Sequence, residues 1–234
     1  MKILISGNNH FCKTFKTDIP RPLCSDPKKV GRLVLNSHSE RFVWQCSILK
    51  DPYDRLRFND DPYYIAVEAN SRLCIFIPES LVHDQKDFEH YLVTKIVDQA
   101  MISCQLAGID KLTALQSIES FDQKIQHYEW IKNTDMSVSG AITDMEFWLH
   151  ACIDEIGHPP KGDELLDLEI FLNERPKKIK ISDKPVRRKT VLPFQTFFDF
   201  WQHNFIKEPS EPTHKTQEKR KKQRNNVVPL FPEK

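Results

Sequence analysis

Apolar positions alternate with polar ones over short stretches in the first third of the chain, then recur at helical spacing further on. Within 41–49, Phe42, Trp44 and Cys46 alternate with Val43, Gln45 and Ser47, the two-residue period of a strand. Gly31 to Asn36 has a similar character, and the polar Ser37-His38-Ser39 between the two predicts a hairpin. Tyr64 to Ala69 and Arg72 to Ile77, rich in β-branched and aromatic residues around Asn70-Ser71, predict a second hairpin. Lys2 to Ile5 adds at most an edge strand. Residues 8–30, with three prolines and many charges, predict irregular chain.

After Pro78 the period changes. Phe88, Leu92, Ile96, Ala100 and Cys104 recur every four residues and predict an amphipathic helix over 85–107, ended by Gly108 and packed against the sheet. A shorter helix follows at 110–119. Another is expected to start near Thr143, whose hydroxyl would cap the first turn with Glu146 in the reciprocal position. Its apolar face is Met145, Trp148, Leu149, Cys152 and Ile156, and Gly157 and Pro159 supply the stop. Residues 163–173 are helix-prone up to Pro176. The fold class that follows is α+β, a small, mostly antiparallel sheet packed against several helices, with a basic flexible C-terminal tail. The expected divisions are an irregular segment (1–24), the α+β domain (25–175), a basic linker with an aromatic docking helix (176–206) and a flexible basic tail (207–234).

The chain has 234 residues, 39% of them hydrophobic, enough to bury a sizeable core. No apolar run approaches the roughly 20 residues that cross a bilayer as a helix. The opening apolar stretch is too short for a signal peptide, so a cytoplasmic location and no membrane partner are expected. Six cysteines without a Cys-x-x-Cys pair, four of them (Cys46, Cys74, Cys104 and Cys152) in apolar patterned segments, read as reduced core thiols. Gly-x-Gly-x-x-Gly, Walker and His-Glu-x-x-His patterns are absent, and no cofactor or metal is expected. Charge, in contrast, is unevenly placed. The formal net charge is only +1, yet residues 1–173 carry a balance of −8 and residues 174–234 a balance of +9.

At Ser137-Val138-Ser139-Gly140-Ala141-Ile142-Thr143-Asp144-Met145 the chain resembles a family of small prokaryotic domains of unknown function, marked by a Ser-Val-x-Gly-x-x-Asn-Asp-Met run before a helix. Ser71-Arg72-Leu73-Cys74-Ile75-Phe76 is similar to that family's arginine-containing strand. The resemblance covers about residues 30–175, and Met136 and Thr143 stand where the family often has Arg and Asn. It implies an α+β domain and a bacterial or phage source, and brings no established chemistry.

Three candidate ligand-binding residues follow from residue type. Arg72 could offer a donor fork to a carboxylate or phosphate. His150 and Asp154 share a helix face, and Asp144 lies six residues before His150. No nucleophile accompanies them and no catalytic residue is assigned. His127, Tyr128 and Trp130 could line a pocket or join two helical regions as an aromatic cluster. The strongest sign of a partner is the basic end: Arg187, Arg188 and Lys189, then Lys219, Arg220, Lys221, Lys222 and Arg224, separated by the aromatic run Phe194 to Phe205. That run could dock on its own domain or on another subunit. The leading expectation is a non-enzymatic accessory protein that recognises another macromolecule, whether a protein, a second copy or non-specific nucleic acid. A nucleic-acid-associated protein using the basic tail, and an enzyme or ligand module using Arg72, Asp144 and His150, are the alternatives.

Overall fold

The computed structural model describes residues 1–15, 18–22, 31–49, 63–183 and 186–206. Five strands form one sheet: β1 (Lys2–Gly7), β2 (Arg41–Leu49), β3 (Tyr63–Glu68), β4 (Cys74–Pro78) and β5 (His127–Lys132), in the order β4-β3-β2-β1-β5. β1 runs parallel to both β2 and β5, whereas β3 is antiparallel to its two neighbours, β2 and β4. The sheet is therefore mixed, not mostly antiparallel. The reason is β1: expected at most at an edge, within a segment expected to be irregular, it lies between two strands. Parallel neighbours require crossovers. One begins with α1 (Asn9–Thr14), and another carries α2 (Gln85–Leu106) and α3 (Lys111–Lys124) from β4 to β5. Gly7 lets α1 close onto the sheet, because a Cβ there would stand 2.2 Å from the Phe11 ring.

Helices cover both faces. On one, Ile3, Ile5, Phe42, Trp44 and Ile75 pack with the α2 stripe, Phe121 of α3 and the aromatic face of α6 (Pro193–Phe205). On the other, Ile65, Val67 and Phe76 meet α4 (Met136–Ile156) and α5 (Asp163–Glu174). Two covered faces explain why β3 is buried at every position and reads as a continuous apolar run.

The β3–β4 hairpin and the α2 stripe form as the pattern predicts, and α3 extends to Lys124. The first predicted hairpin does not form. β2 pairs with β1 and β3 on its two sides, leaving no place for 31–36. That segment lies across the strands instead, with Leu35 packed on Leu4, Val43 and Ile131. Its backbone N–H groups at Leu33 and Leu35 donate to Asn133 Oδ1 and Asp135 Oδ2, at 2.7 and 3.1 Å. β5 occupies the stretch expected to be an aromatic cluster between helices, and Trp130 donates to Glu89 Oε1 at 2.7 Å. The helix expected near Thr143 starts two turns earlier. Asp135 is its cap, accepting from the Ser137 N–H at 2.8 Å, and the Thr143 hydroxyl bonds back to the Ser139 carbonyl. Gly140 does not interrupt the helix, and Gly157, at φ 82°, ends it as expected.

The chain after α5 is also more ordered than a linker. β6 (Lys177–Asp183) and β7 (Val186–Val191) form a two-stranded ribbon separate from the main sheet. α6 then docks on the chain's own core, burying Phe194, Phe197, Phe198, Trp201 and Phe205, with Trp201 Nε1 donating to Ser117 Oγ at 2.8 Å. Residues 207–234, including the cluster Lys219 to Arg224, lie outside the described residues. Cys12, Cys46, Cys74 and Cys104 are buried free thiols, and Cys152 is half-buried and free.

The β4 edge is closed by side chains. Asn173 of α5 accepts from the Cys74 N–H at 2.8 Å and donates to the Cys74 carbonyl at 2.9 Å, much as a neighbouring strand would. Glu169, one turn earlier, accepts from the Phe76 N–H at 2.8 Å. Its remaining lone pairs take Lys95 Nζ at 3.0 and 3.2 Å and Gln99 Nε2 at 2.9 Å. Exposed strand edges recruit other strands, and these contacts remove that opportunity.

Two predictions follow from this packing. Trp201→Ala should cost about 3–5 kcal/mol in urea unfolding, through the cavity it leaves and the lost hydrogen bond to the Ser117 hydroxyl. Burial pushes the Glu169 carboxyl from 4.5 up to about 7, against the opposing pull of Lys95. Between those values the folded chain holds a proton that the unfolded chain has released. The contribution is thus fully present below pH 4.5 and lost as pH rises through 7. Glu169→Gln, which keeps an acceptor for Phe76, should flatten the decline in unfolding free energy across that window. An unchanged slope would show that Glu169 does not generate it.

Candidate nucleic-acid interface

Arg72 sits in the turn between β3 and β4 with φ 64°, an uncommon backbone conformation for a residue with a side chain. The turn is held from below by Glu68, whose carboxylate accepts from the Asn70 N–H (3.0 Å), the Ser71 N–H and hydroxyl (both 2.6 Å) and the Ser37 hydroxyl (2.5 Å). Arg72 is only 4% exposed. Its Nη2 donates to Ser137 Oγ at 3.1 Å, in the first turn of α4, while Nη1 is buried without a partner among the described residues. Burial pushes the guanidinium below its ordinary value, and the carboxylates of Asp135 and Glu68 oppose that shift. With two buried carboxylates beside it, the guanidinium already has negative charge to balance. Its visible work is to tie the β3–β4 turn to α4.

The other two proposed ligand residues stand elsewhere. Asp144 is exposed two turns along α4. His150 is half-buried, and its Nε2 has no hydrogen-bond partner among the described residues. At 1.5 Å rise per residue, His150 is about 20 Å along the helix from the turn that Arg72 reaches. No hydrogen bond joins His150 to Asp154, so the three groups form no common site. A cleft of about 210 Å³ opens between the ends of α2 and α5 and the start of α6, beside Ser103, Asn173 and Phe194. That is below the roughly 300–1,000 Å³ of small-molecule pockets, and none of Arg72, Asp144 and His150 lines it. Among the described residues, no three His, Cys, Asp or Glu side chains are grouped to hold a metal ion. Among them too, no helix is long and apolar enough to cross a membrane.

The basic segment has a definite shape. Residues 177–191 contain seven Lys or Arg and one acid, Asp183. The ribbon register sets Ile179 opposite Lys189 and Lys180 opposite Arg188, with an irregularity between Lys180 and Ser182. Lys178, Arg188 and Lys189 are exposed, and among the described residues no carboxylate stands within ion-pair distance of them. Lys177, at the base, is half-buried. Burial holds its amine below the ordinary value, and Asp144 on α4 is among the groups opposing that shift. Asp144 thus stands at the root of the ribbon. Arg187 belongs to β7, while Lys219, Arg220, Lys221, Lys222 and Arg224 lie outside the described residues.

Beside that root is an aromatic surface that the sequence did not single out. Glu169 and Asn173 point α5 at the β4 edge, so Phe171 and Arg175, each two residues further round the helix, point away from it. The Arg175 guanidinium lies 3.9 Å from the Phe171 ring centre and 4.3 Å from that of Trp148. Trp148 in turn meets Phe171 edge-on at 5.4 Å and Phe147 at 5.7 Å. Phe147 is 65% exposed and Phe171 40%. The signal was present in the pattern: Phe147 falls outside the apolar face of its own helix. No family model, no curated protein and no solved structure matches this chain.

Proposed function

We propose that this chain is a non-enzymatic interaction protein that associates with nucleic acid, its β6–β7 ribbon contacting the phosphate backbone. The observation that carries this reading is the set of exposed ribbon cations without an acidic partner among the described residues. An ion pair across the globule would have satisfied them internally. Lys177 at the base has Asp144 near it, whereas Lys178, Arg188 and Lys189 have no acidic partner among the described residues. A phosphate chain can meet these exposed cations and releases its own counterions on binding. Backbone contacts of this kind position a protein without reading sequence.

A protein partner held by the aromatic run at 194–205 is less well supported, because the large rings of α6 are already buried in the chain's own core. An enzymatic reading would need the groups of a site to converge, and Arg72, Asp144 and His150 are spread along the length of α4. The resemblance of the Ser137 to Met145 run to small prokaryotic domains is compatible with an accessory role and adds no chemistry of its own.

The test is a salt titration of binding to a labelled oligonucleotide, comparing the full chain with the Lys178→Gln, Arg188→Gln, Lys189→Gln triple variant. All three side chains are exposed, so folding should be unaffected. Affinity should fall steeply with salt in the parent, and the log–log slope should become shallower by about 2–3 in the variant. Equal affinity and equal slope in the two proteins would refute the ribbon as the phosphate contact.

A further inference from the structure

We infer that the surface formed by Phe147, Trp148, Phe171 and Arg175 is a base-stacking platform, so that the nucleic acid this protein holds is single-stranded. The inference rests on the phosphate-binding reading of the adjacent ribbon and specifies what that ribbon delivers.

Position supports it first. Arg175 is separated from the first residue of β6 only by Pro176, and α4, which carries Phe147 and Trp148, contacts β6 directly. A strand tracked by Lys178, Arg188 and Lys189 therefore passes beside the rings. Chemistry supports it second. Phe147 and Phe171 present apolar ring surface to solvent, although their helices have a fully formed core on the opposite side. The Arg175 guanidinium lies over the Phe171 and Trp148 rings, at 3.9 and 4.3 Å, adding a cation to the same surface. Unpaired bases have free π-faces that stack on such groups with little regard to sequence, whereas a duplex keeps those faces inside its own stack. A folded protein partner would also cover apolar rings, but the neighbouring ribbon cations, unpaired among the described residues, complement a polyanion.

The experiment measures binding by the full chain to four probes at one salt concentration: a mixed-sequence single-stranded DNA, the same sequence as RNA, its duplex, and inorganic polyphosphate, which has charge without bases. The parent should bind both single strands more tightly than duplex or polyphosphate. Phe147→Ala should weaken binding to the single strands by roughly tenfold and leave duplex and polyphosphate unchanged. Phe147→Tyr, which keeps the ring, should bind like the parent and guards against a folding artefact. Equal single-strand binding by Phe147→Ala and parent would overturn the platform, as would an equal loss on polyphosphate. A dimer of the free chain that Phe147→Ala dissociates would overturn it as well, assigning the rings to a second copy. These results leave the ribbon reading standing, since that reading fails only if polyphosphate and nucleic acid alike ignore the ribbon cations.

Discussion

The edge of β4 is the constraint on which the outer half of this structure depends. A sheet edge in a protein interior leaves N–H and C=O groups that must be paired, since each orphaned group costs on the order of 1–3 kcal/mol. Among the described residues no further strand pairs with β4, and α5 substitutes for one with two side chains a single turn apart. Asn173 matches a peptide group donor for acceptor, and Glu169 takes the next N–H. Burying that carboxylate is tolerable only because Lys95 and Gln99 of α2 reach it from the other side. One polar cluster thereby fixes a strand and two helices together. It also fixes the rotation of α5, and with it the outward aim of Phe171 and Arg175.

A second polar cluster performs a comparable task at the start of α4. Asp135 accepts from Leu35 and from its own helix, and its N–H donates to Gln45 Oε1 at 2.7 Å, in the middle of β2. Glu68 and Arg72 hold the adjoining turn and reach the same helix through Ser137. Arg72, the one proposed ligand residue in this cluster, is here a structural connector between sheet and helix, as are Asp135 and Glu68 beside it. The groups left without such duties are the rings and cations at the other side of α4 and α5. Function is therefore best sought on that outer surface, where Phe147, Lys178, Arg188 and Lys189 are exposed.

The charge division of the chain acquires a spatial meaning in this arrangement. The acidic body includes both connector clusters, where carboxylates are consumed by backbone donors and buried cations. The ribbon lies outside the main sheet, and among the described residues Lys178, Arg188 and Lys189 have no carboxylate within ion-pair distance. The rings of Phe147, Trp148 and Phe171 meet edge-on beside its root.

Periodicity by itself determined the elements whose partners are close in sequence: the β3–β4 hairpin, the α2 stripe and the Gly157 stop. It also established the separation of acidic and basic charge and the density of cations around Arg188. What it could not determine was pairing over distance. β1 reads as a marginal strand because its six residues carry no turn signal, yet parallel pairing with β2 and β5 puts it inside the sheet. The segment 31–36 has strand-like content, but both sides of β2 were already taken. Asp135 displaced Thr143 as the helix cap because its contacts with Gln45 and Leu35 exist only once the sheet is assembled. The aromatic surface was half legible: Phe147 breaks the stripe of its own helix, but only the docking of α5 against β4 brings Phe171 and Arg175 alongside it. Local spacing specifies which side chains share a face; the packing of one element on another decides what that face meets.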